Sequence, residues 1–382
     1  MNAPLHILHT EASKGWGGQE LRVLAELEGF AARGHRTHLL APPDARILQV
    51  ALERGVACDA VPFDRPLSRA GLGQIRRLRR RLQGDPADVI VTHSSHDSWQ
   101  VALARRFMPH PPALVRIRHV SAPITNNFAG RWLYRHAADR IATTGEAIRR
   151  PMIDALGVDP RKVEAIPTGV DPTRFDPARY PDPAAVRRVL GLPERGRLLG
   201  IVATLRNWKG HQELLTAFEA LQAQHSDLHL VIAGDGPQRP RIETRKATLQ
   251  GGARVHLLGH RDDAPAVLAA LDLFALPSWS NEGVPQAIVQ AMAMGLPIVA
   301  TDAGAIPEAI RHEHNGLIVA KRDADALAAG LARLLQDPAF AAQLGRNARA
   351  DALAHHALNV TLDRMEALMR AAVAARNRYG SA

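Results

Sequence analysis

The sequence predicts an α/β protein made of two Rossmann-like, doubly wound domains. Short apolar runs alternate with amphipathic runs of helical spacing along the chain, a pattern typical of parallel sheets covered by helices. At 382 residues the chain is longer than one hydrophobic core usually serves. The strand–loop–helix–strand order of the first half begins again near residue 198. We therefore expect an N-terminal domain at residues 1–170, a linker at 171–184 and a C-terminal domain at 185–357.

The first domain is expected to start with a strand at residues 5–9, a glycine-rich turn, and a helix at 21–33 that Gly34 ends. Apolar runs predict further strands at residues 37–41, 56–61, 89–92, 114–118, 140–143 and 163–167. Apolar residues at helical spacing predict helices between them, at residues 46–54, 72–82, 98–107 and 130–138. Thr144 suits the N-cap of one more helix. The segment at 171–184 is rich in proline and lacks periodicity, as a linker would be.

The second domain shows the same alternation. Apolar runs predict strands at residues 198–203, 228–233, 255–258, 271–277, 296–301 and 315–319. Helical spacing predicts helices at residues 214–222, 286–294, 325–335, 338–354 and 358–376. Pro285 suits a first helical turn and Gly295 a helix end, so residues 271–301 form a βαβ unit with a parallel crossover.

Composition narrows the class of partner. The net charge is +10, from 48 basic and 38 acidic residues, which favours an anionic partner. Five arginines between residues 76 and 81 lie in a predicted amphipathic helix with an apolar stripe of Ile75, Leu78 and Leu82. Such a helix can lie on an anionic membrane, although a solvated helix face fits slightly better. Aromatic residues make up 4% of the chain and no nucleic-acid motif is present, so we expect no nucleic-acid partner.

The compartment is expected to be the cytoplasm, or the cytoplasmic face of the inner membrane. Cys58 is the single cysteine, so no intrachain disulfide forms. The sequence contains no apolar run near the roughly 18 residues of a membrane span. Its first residues, MNAPLHILHT, lack the basic segment and long apolar core of a signal peptide.

Two loops at the carboxyl ends of predicted strands are candidate ligand sites, because ligands of open α/β sheets bind there. In the first, Gly17 and Gly18 precede a helix, where bare N–H groups can approach a phosphate, although many such turns need glycine for geometry alone. The GxGxxG spacing of dinucleotide sites is absent. In the second, Glu282 and Gln290 suit a polyhydroxyl ligand. Their spacing fits a surface glutamate and a helix glutamine equally well.

Two histidine groups lie at strand ends. His93 and His96 form an HxxH pair, which allows a metal site but lacks an evident third ligand, and ordinary loop histidines are commoner. His119 ends a strand between Arg116 and Arg118, which share one strand face. On pattern alone a structural and a functional histidine are equally probable at this position.

Several motifs resemble one enzyme family. The stretch ALPSWSNEGVPQAIVQAMAMGLPIVAT, from Ala275 to Thr301, resembles the E-x7-E region of retaining nucleotide-sugar glycosyltransferases of family 4. GWGGQE near the N-terminus resembles the GG loop of that family, and the turn after Thr301 resembles its GG-x-PE loop. The resemblance implies the GT-B fold, in which two Rossmann-like domains face a central cleft. It also implies that the C-terminal helix, residues 358–382, packs back on the first domain.

The resemblance implies roles for residues of the second domain. Glu282 would contact the transferred sugar, and Gly283 and Val284 the donor nearby. Gln290 stands where the family has a second glutamate for the ribose; glutamine keeps an acceptor oxygen but loses the charge. Arg206 and Lys209 would neutralise the leaving diphosphate.

Other implied roles are less direct. The family usually has an arginine where this chain has Thr204, and Arg206 would replace it. Arg261 follows a strand whose end often contacts the nucleobase. In the first domain, His119 would contact the donor sugar, and the amides of Gly17 and Gly18 would line the diphosphate and acceptor region.

The resulting hypothesis is a retaining glycosyltransferase that moves a hexose-type sugar, with a UDP-sugar favoured as donor, to a glycan or lipid-linked acceptor of lipopolysaccharide or another surface polysaccharide. The family implies no metal or other cofactor, since the nucleotide sugar is a substrate. Two alternatives stay open: a GT-B-fold UDP-sugar 2-epimerase, and a non-catalytic protein that binds nucleotide sugars or anionic glycans.

Overall fold

The computed structural model describes residues 3–63, 68–106, 108–122, 124 and 126–380. Phe107 of the predicted helix at 98–107, and Ser381 and Ala382 of the predicted C-terminal helix, lie outside the described residues. The chain divides into two compact units, Met1–Pro167 with Asn359–Ala382, and Thr168–Leu358.

The first unit is built on a seven-stranded sheet in which all paired strands are parallel. Its strands are β1 (His6–Thr10), β2 (Arg36–Ala41), β3 (Cys58–Ala60), β4 (Val89–Thr92), β5 (Ala113–Arg118), β6 (Arg140–Thr143) and β7 (Val163–Ala165). Their order is β3-β2-β1-β4-β5-β6-β7, with Ile7 of β1 beside Thr37 and Val89. The central strands are buried on both faces, which explains their continuous apolar runs.

Helices connect these strands. They are α1 (Gly18–Ala32), α2 (Arg46–Glu53), α3 (Arg69–Gly84), α4 (Ser95–Arg105), α5 (Phe128–Trp132), which continues as a π-helix over Leu133–Ala137, and α6 (Glu146–Asp154). Helix α6 begins after Gly145, and not at a Thr144 N-cap as the sequence suggested. The Thr144 hydroxyl donates instead to the carbonyl of His119, at 3.0 Å, so it ties the α6 loop to the end of β5.

Helix α3 carries the arginine cluster on its solvent side. Its apolar stripe faces the core: Leu78 and Leu82 are each 1% exposed, and Ile75 packs against them. Arg81 pairs with Asp59 at 2.7 Å, while Arg76, Arg77 and Arg80 are exposed. The stripe is therefore used for folding, and membrane contact by this helix would rest on its charges and on Leu72, which is 50% exposed.

The second unit has a six-stranded parallel sheet. Its strands are β8 (Arg197–Val202), β9 (Leu228–Ala233), β10 (Val255–Gly259), β11 (Leu273–Leu276), β12 (Ile298–Thr301) and β13 (Leu317–Val319). Their order is β10-β9-β8-β11-β12-β13. The helices are α7 (Pro183–Val189), α8 (His211–Leu221), α9 (Arg239–Thr248), α10 (Ala264–Ala269), α11 (Gln286–Ala293), α12 (Ile306–Ala309), α13 (Ala324–Gln336) and α14 (Pro338–His355). Helices α7, α9 and α10 were not predicted, since each is short or weakly apolar.

The segment expected to be a linker, residues 171–184, lies within the second unit. Phe175 is 4% exposed and belongs to the core of that unit. Arg349 of α14 pairs with Asp176 at 2.9 Å. Proline content hid this packing because it is carried by a few scattered side chains, Phe175 and the partly buried Tyr180 among them, and not by a periodic apolar stripe.

The last helix, α15 (Leu358–Gly380), belongs to the first unit. Arg33 pairs with Asp363 at 2.8 Å, and a Cβ on Gly29 of α1 would lie 2.4 Å from Leu362. The chain enters and leaves the second unit at adjacent points, where the N–H of Val170 donates to the His356 carbonyl and the N–H of Leu358 to the Val170 carbonyl, both at 2.8 Å. Among the described residues, no helix is long and apolar enough to span a membrane.

Candidate active site

Each sheet has one position at which the strand order reverses direction. In the first sheet it lies between β1 and β4, and in the second between β8 and β11. Loops that leave two such neighbouring strands turn to opposite sides of the sheet and leave a crevice between them, where α/β proteins bind ligands. The sequence-predicted residues Gly17, Lys209 and Glu282 follow β1, β8 and β11 respectively.

An ion pair joins the loops after β8 and β11. Lys209 Nζ lies 2.6 Å from Glu282 Oε1, with the side chains 18% and 6% exposed. The distance and burial make this a charge-assisted hydrogen bond with limited access to water. The structure thus brings two predicted residues together at the second reversal point, where their charges neutralise each other.

Glycine backbones hold the two loops in place. Gly210 has a φ of 74°, and a Cβ there would lie 2.0 Å from the Pro277 carbonyl oxygen. Gly304, in the turn after β12, has a φ of 56°, and its Cβ would lie 2.1 Å from the Glu282 carbonyl oxygen. Any side chain at either position would force the backbone beside Lys209 or Glu282 to move.

Further hydrogen bonds join the same loops. The N–H of Trp279 donates to the Trp208 carbonyl at 2.8 Å, and its indole N–H donates to the Asn207 carbonyl at 3.1 Å. The N–H of Ala305 donates to the Glu282 carbonyl at 3.2 Å. The loops after β8, β11 and β12 therefore form one connected platform.

The other predicted residues of this unit differ in their burial and in whether their charges are already paired. Gly283, Val284 and Gln290 are buried, Gln290 at 6% exposure on α11. Arg206 is exposed, with its guanidinium carbon 5.7 Å from the centre of the Trp208 ring. Arg261 forms a two-point ion pair with Asp263, one arm of which is 2.8 Å long, so its charge is already engaged.

In the first unit, the turn after β1 places Gly17 at the N-cap of α1, without a side-chain cap. The N–H groups of the first helical turn are therefore available to an anion. Glu11, which the sequence reasoning did not single out, is fully buried beside this turn and accepts hydrogen bonds from Ser94, Gln19 and the N–H of Ser13. Burial, together with the charges of Asp97 and Glu20, raises the Glu11 pKa to about 8.

Asp97 is the second buried carboxyl group at this reversal point. Its oxygens accept hydrogen bonds from the Thr10 hydroxyl and from the N–H groups of His93, Ser94 and Ser98. Burial nonetheless raises its pKa to about 6, against the opposing effect of these donors. Asp97 caps α4 and fixes the loop that follows β4.

Three histidines form a hydrogen-bonded chain across the ends of β1, β4 and β5. His9 Nδ1 lies 3.0 Å from His93 Nε2, and His93 Nδ1 lies 3.0 Å from His119 Nε2. Burial and then the nearby Arg22 charge lower the His9 pKa to about 3. Burial also holds the pKa values of His93 and His119 well below their usual range, so all three rings are neutral near pH 7.

The direction of this chain follows from its buried end. His9 Nε2 and Arg22 Nη2 are both buried without a hydrogen-bond partner. A bare Nε2 on His9 suits the nearby guanidinium charge, whereas an N–H there would be a buried donor without an acceptor. His9 Nδ1–H then donates to His93 Nε2 and His93 Nδ1–H to His119 Nε2. His119 consequently carries its own proton on Nδ1, for which the described residues provide no hydrogen-bond partner.

The remaining histidine and arginine candidates are used within the first unit. Both ring nitrogens of His93 are engaged in the chain, and His96 is exposed. Within the described part of the chain, no group of three or more potential ligands could hold a metal ion. Arg116 donates to the Ser94 carbonyl at 2.8 Å, and Arg118 donates to the Ala122 carbonyl, so each guanidinium supports a loop.

Comparison with known proteins identifies the family. A model described as "Glycosyltransferase Family 4" matches residues 16–174, and one described as "Glycosyl transferases group 1" matches residues 183–351. The chain is 30% identical over 329 residues to 2-deoxystreptamine glucosyltransferase of Streptomyces kanamyceticus, covering 78% of this chain and 82% of that protein.

Two further relatives match shorter regions. The D-inositol 3-phosphate glycosyltransferase of Salinispora arenicola is 34% identical over 241 residues, 59% of this chain, and the match spans about half of that protein, 52%. The UDP-Gal:alpha-D-GlcNAc-diphosphoundecaprenol alpha-1,3-galactosyltransferase of Escherichia coli is 28% identical over 273 residues, covering 68% of this chain and 69% of that protein.

Solved structures share the fold at low sequence identity. A glycosyltransferase from Rickettsia africae superposes with a TM-score of 0.87 at 17% identity, covering 97% of this chain and 99% of that one. Anabaena HepE in complex with UDP and glucose gives 0.84 at 20% identity, covering 95% and 98%. WaaG, a glycosyltransferase involved in lipopolysaccharide biosynthesis, gives 0.73 at 17% identity, covering 95% and 99%.

These comparisons confirm the predicted family, the enzyme class of that family and the fold class. The chain belongs to glycosyltransferase family 4, a family of retaining glycosyltransferases, and it has the GT-B fold.

Proposed function

We propose that the protein transfers a hexose-type sugar from a UDP-sugar, with retention of configuration, to a glycan or lipid-linked acceptor in lipopolysaccharide or surface polysaccharide synthesis. The observation that supports this most is the buried Lys209–Glu282 pair at the reversal point of the second sheet. A cation and a carboxylate at that place match a ligand that combines a diphosphate with sugar hydroxyls.

The proposed reaction exchanges one bond at the sugar C1 for another, and the protein would stabilise the charge that develops. The bond between the sugar C1 and the diphosphate oxygen breaks, UDP leaves with the electron pair, and the acceptor oxygen bonds to C1 from the same face. Negative charge develops on the leaving diphosphate, where Lys209 and Arg206 would stabilise it. Glu282 would accept hydrogen bonds from sugar hydroxyls. The acceptor proton would pass to the leaving phosphate, so no separate general base is required. Because the acceptor oxygen bonds to C1 on the face that UDP leaves, no covalent nucleophile is required either.

Other residues would orient the donor. Gln290 would accept a ribose hydroxyl through its amide oxygen, and the loop at Arg261 would lie near the base. Gly283 and Val284 would contact the donor beside Glu282. These assignments follow the family resemblance, and the burial of Gln290 on α11 is compatible with them.

In the first unit, His119 would donate its Nδ1–H to a sugar oxygen. The low pKa of His119 keeps its ring neutral, so this hydrogen bond to the sugar would not depend on pH near neutrality. The N–H groups after Gly17 and Gly18 would stabilise negative charge on the diphosphate or an acceptor phosphate.

The choice of donor and acceptor rests on the relatives. The name of the Escherichia coli relative includes a UDP-sugar donor and a diphosphoundecaprenol acceptor, and Anabaena HepE was solved with UDP. The net charge of +10 favours an acceptor that carries phosphate or lies at an anionic membrane. A cytoplasmic location, or one at the cytoplasmic face of the inner membrane, is part of this proposal.

The first test is a thermal-shift screen with UDP-, GDP- and ADP-sugars, since a ligand that binds only the native state raises the melting temperature. We expect a shift with UDP and UDP-sugars. Transfer is then measured as UDP release with lipid-linked acceptors, and the product anomer is determined by NMR. A shift with GDP or ADP compounds in place of UDP would contradict the proposed donor, and an inverted product would contradict the mechanism.

The site assignment is tested with Glu282→Gln, which preserves shape and removes the charge. We expect transfer to fall about 100-fold or more, and the melting temperature to fall as well, because Lys209 loses its counter-charge. The matched control is Glu243→Gln, which removes an exposed carboxylate on α9 of the same unit. Equal transfer by the Glu282 variant and the control would show that Glu282 does not contact the sugar.

A further inference from the structure

A cavity of about 220 Å³ lies in the second unit, at the carboxyl edge of its sheet. Helix α8 packs between α9 and α13 on this side. The cavity is formed by the loops after β8, β9, β11 and β13, and its lining includes Arg206, Arg241, Arg322, His211, Gln212 and Glu213. Lys209 and Glu282 do not line it, and of the residues proposed to bind the donor it shares only Arg206, which lies where the two sites would adjoin.

The charges around the cavity favour an anion. Arg206, Arg241 and Arg322 contribute three guanidinium groups, and none of them forms a salt bridge with another described residue. Arg322 lies over the Trp279 ring at 3.9 Å, which holds its charge at the wall of the cavity. Glu213 is the one carboxylate in the lining, so positive charge dominates.

Unused hydrogen-bond donors also face the cavity. His211 is 3% exposed, and neither ring nitrogen has a hydrogen-bond partner of normal geometry, although the Arg206 carbonyl lies near enough to influence its pKa. Burial and the Lys209 charge lower that pKa to about 4, so the ring is a neutral donor. Gln212 Nε2 is likewise buried without a partner. Such groups are costly unless a ligand or water satisfies them.

Backbone groups add to the same preference. Helix α8 starts after Gly210 and α9 after Gln238, and neither helix has a side-chain cap. The first N–H groups of α8 are therefore free to bind an anion, whereas in α9 the Arg239 N–H donates to the Gly236 carbonyl and Pro240 has no N–H. The cavity is smaller than the roughly 300–1,000 Å³ of typical drug-sized ligand sites, which limits the occupant to a small molecule.

From this arrangement we infer a second anion site, distinct from the donor site, that binds a phosphoryl group carried by a small phosphorylated sugar or present as inorganic phosphate. A tetrahedral dianion accepts hydrogen bonds from several directions at once, which matches guanidinium groups, a neutral imidazole and amides placed around one space. A planar carboxylate would leave some of these donors unused. The site does not depend on the proposed transfer reaction.

The test measures binding of inorganic phosphate and of glucose 6-phosphate by titration calorimetry, with UDP present so that the donor site is occupied, and with sodium chloride at matched ionic strength as the blank. The variants are Arg241→Gln, Arg322→Gln and the double variant. The matched control is Arg195→Gln, which removes the same charge from an exposed residue just before β8, at the opposite edge of the sheet.

We expect wild type and the Arg195 variant to bind phosphate equally, and each cavity arginine removed to weaken binding about tenfold. Tighter binding of glucose 6-phosphate would identify a phosphorylated sugar as the ligand, and equal binding would identify free phosphate. No binding by wild type, or unchanged binding by the double variant, would overturn the inference.

Binding of UDP is measured separately on the same proteins. If the double variant loses UDP binding as well, the cavity is part of the donor site, and the inference of a second site is wrong. If wild type fails to bind UDP but binds phosphate, the proposed function fails and the phosphate site stands.

Discussion

Replacing Lys209 by methionine should destabilise the second unit because it leaves the Glu282 carboxylate buried without its cation. The two side chains are 18% and 6% exposed and 2.6 Å apart. Removing one partner of a buried ion pair costs about 3–5 kcal/mol, and the partial exposure of Lys209 places this case near 3 kcal/mol. For a unit of this size the melting temperature falls by about 2–4 °C per kcal/mol, so we expect a decrease of about 6–12 °C.

A second substitution separates stability from activity. In the double variant Lys209→Met/Glu282→Gln the buried charge is gone, and most of the lost stability should return, to within about 1 kcal/mol of wild type. Transfer should not return, because both charges proposed to act on the donor are absent. The control is Arg188→Met, which breaks the exposed pair with Glu194 and should leave the melting temperature unchanged.

Differential scanning calorimetry and the UDP-release assay together measure these effects. If the double variant is no more stable than Lys209→Met, the loss does not arise from an unpaired buried carboxylate. If the double variant transfers sugar like wild type, the pair has no part in the reaction.

Three further outcomes follow from the site geometry. The raised pKa of Glu11 means that the folded protein binds this proton more tightly than the unfolded chain does, so stability should fall as pH rises from about 4.5 to about 8. Glu11→Gln removes the titrating group and should flatten that part of a profile of melting temperature against pH. The same slope in the variant and in wild type would refute this role of Glu11. His93→Ala removes the donor to His119 Nε2, so the His119 proton should be able to occupy either ring nitrogen. Nitrogen-15 NMR of the imidazoles would show this as loss of the single Nδ1–H form. An unchanged His119 signal would contradict the direction assigned to the His9–His93–His119 hydrogen-bond chain. Gly304→Ala should displace the Glu282 backbone, because its Cβ would lie 2.1 Å from that carbonyl oxygen, and should reduce transfer more than UDP binding; equal transfer by variant and wild type would show that the loop adapts.

Alternating apolar runs were sufficient to predict both sheets, because buried parallel strands tolerate few polar residues. The strand at residues 228–233 agrees at both ends with β9 (Leu228–Ala233). Prediction of short, charged helices failed for a physical reason. Helix α9, with the sequence RPRIETRKAT, buries Ile242 alone among its residues, so a single side chain had to carry the signal.

In the candidate site, too, some residues could be predicted from local sequence and others could not. Glu282 and Lys209 lie in loops whose residue types match a family motif, and the structure brings them together. Glu11 and His9 were missed because their role depends on neighbours far along the chain: His9 contacts His93, and Ser94 donates to Glu11. The sequence feature that could have pointed to Glu11 and His9 is their position at the end of β1, next to a glycine-rich turn. Of the cavity arginines, Arg206 was predicted as a site residue, whereas Arg241 and Arg322 were missed because they are far apart in sequence.

The paired backbone hydrogen bonds between Val170 and the segment at His356 to Leu358 make the second unit an insertion with its two ends side by side. Pro167 and Thr361, on the first-unit side, are likewise joined, by a hydrogen bond of 3.2 Å. Because the two ends of this segment are close together, another domain can replace it without moving the flanking residues of the first unit. Domain insertions are tolerated at neighbouring surface positions for the same reason. Residues 168–358 can therefore be exchanged as one piece for the second unit of a relative, which would give a chimera that keeps this first unit.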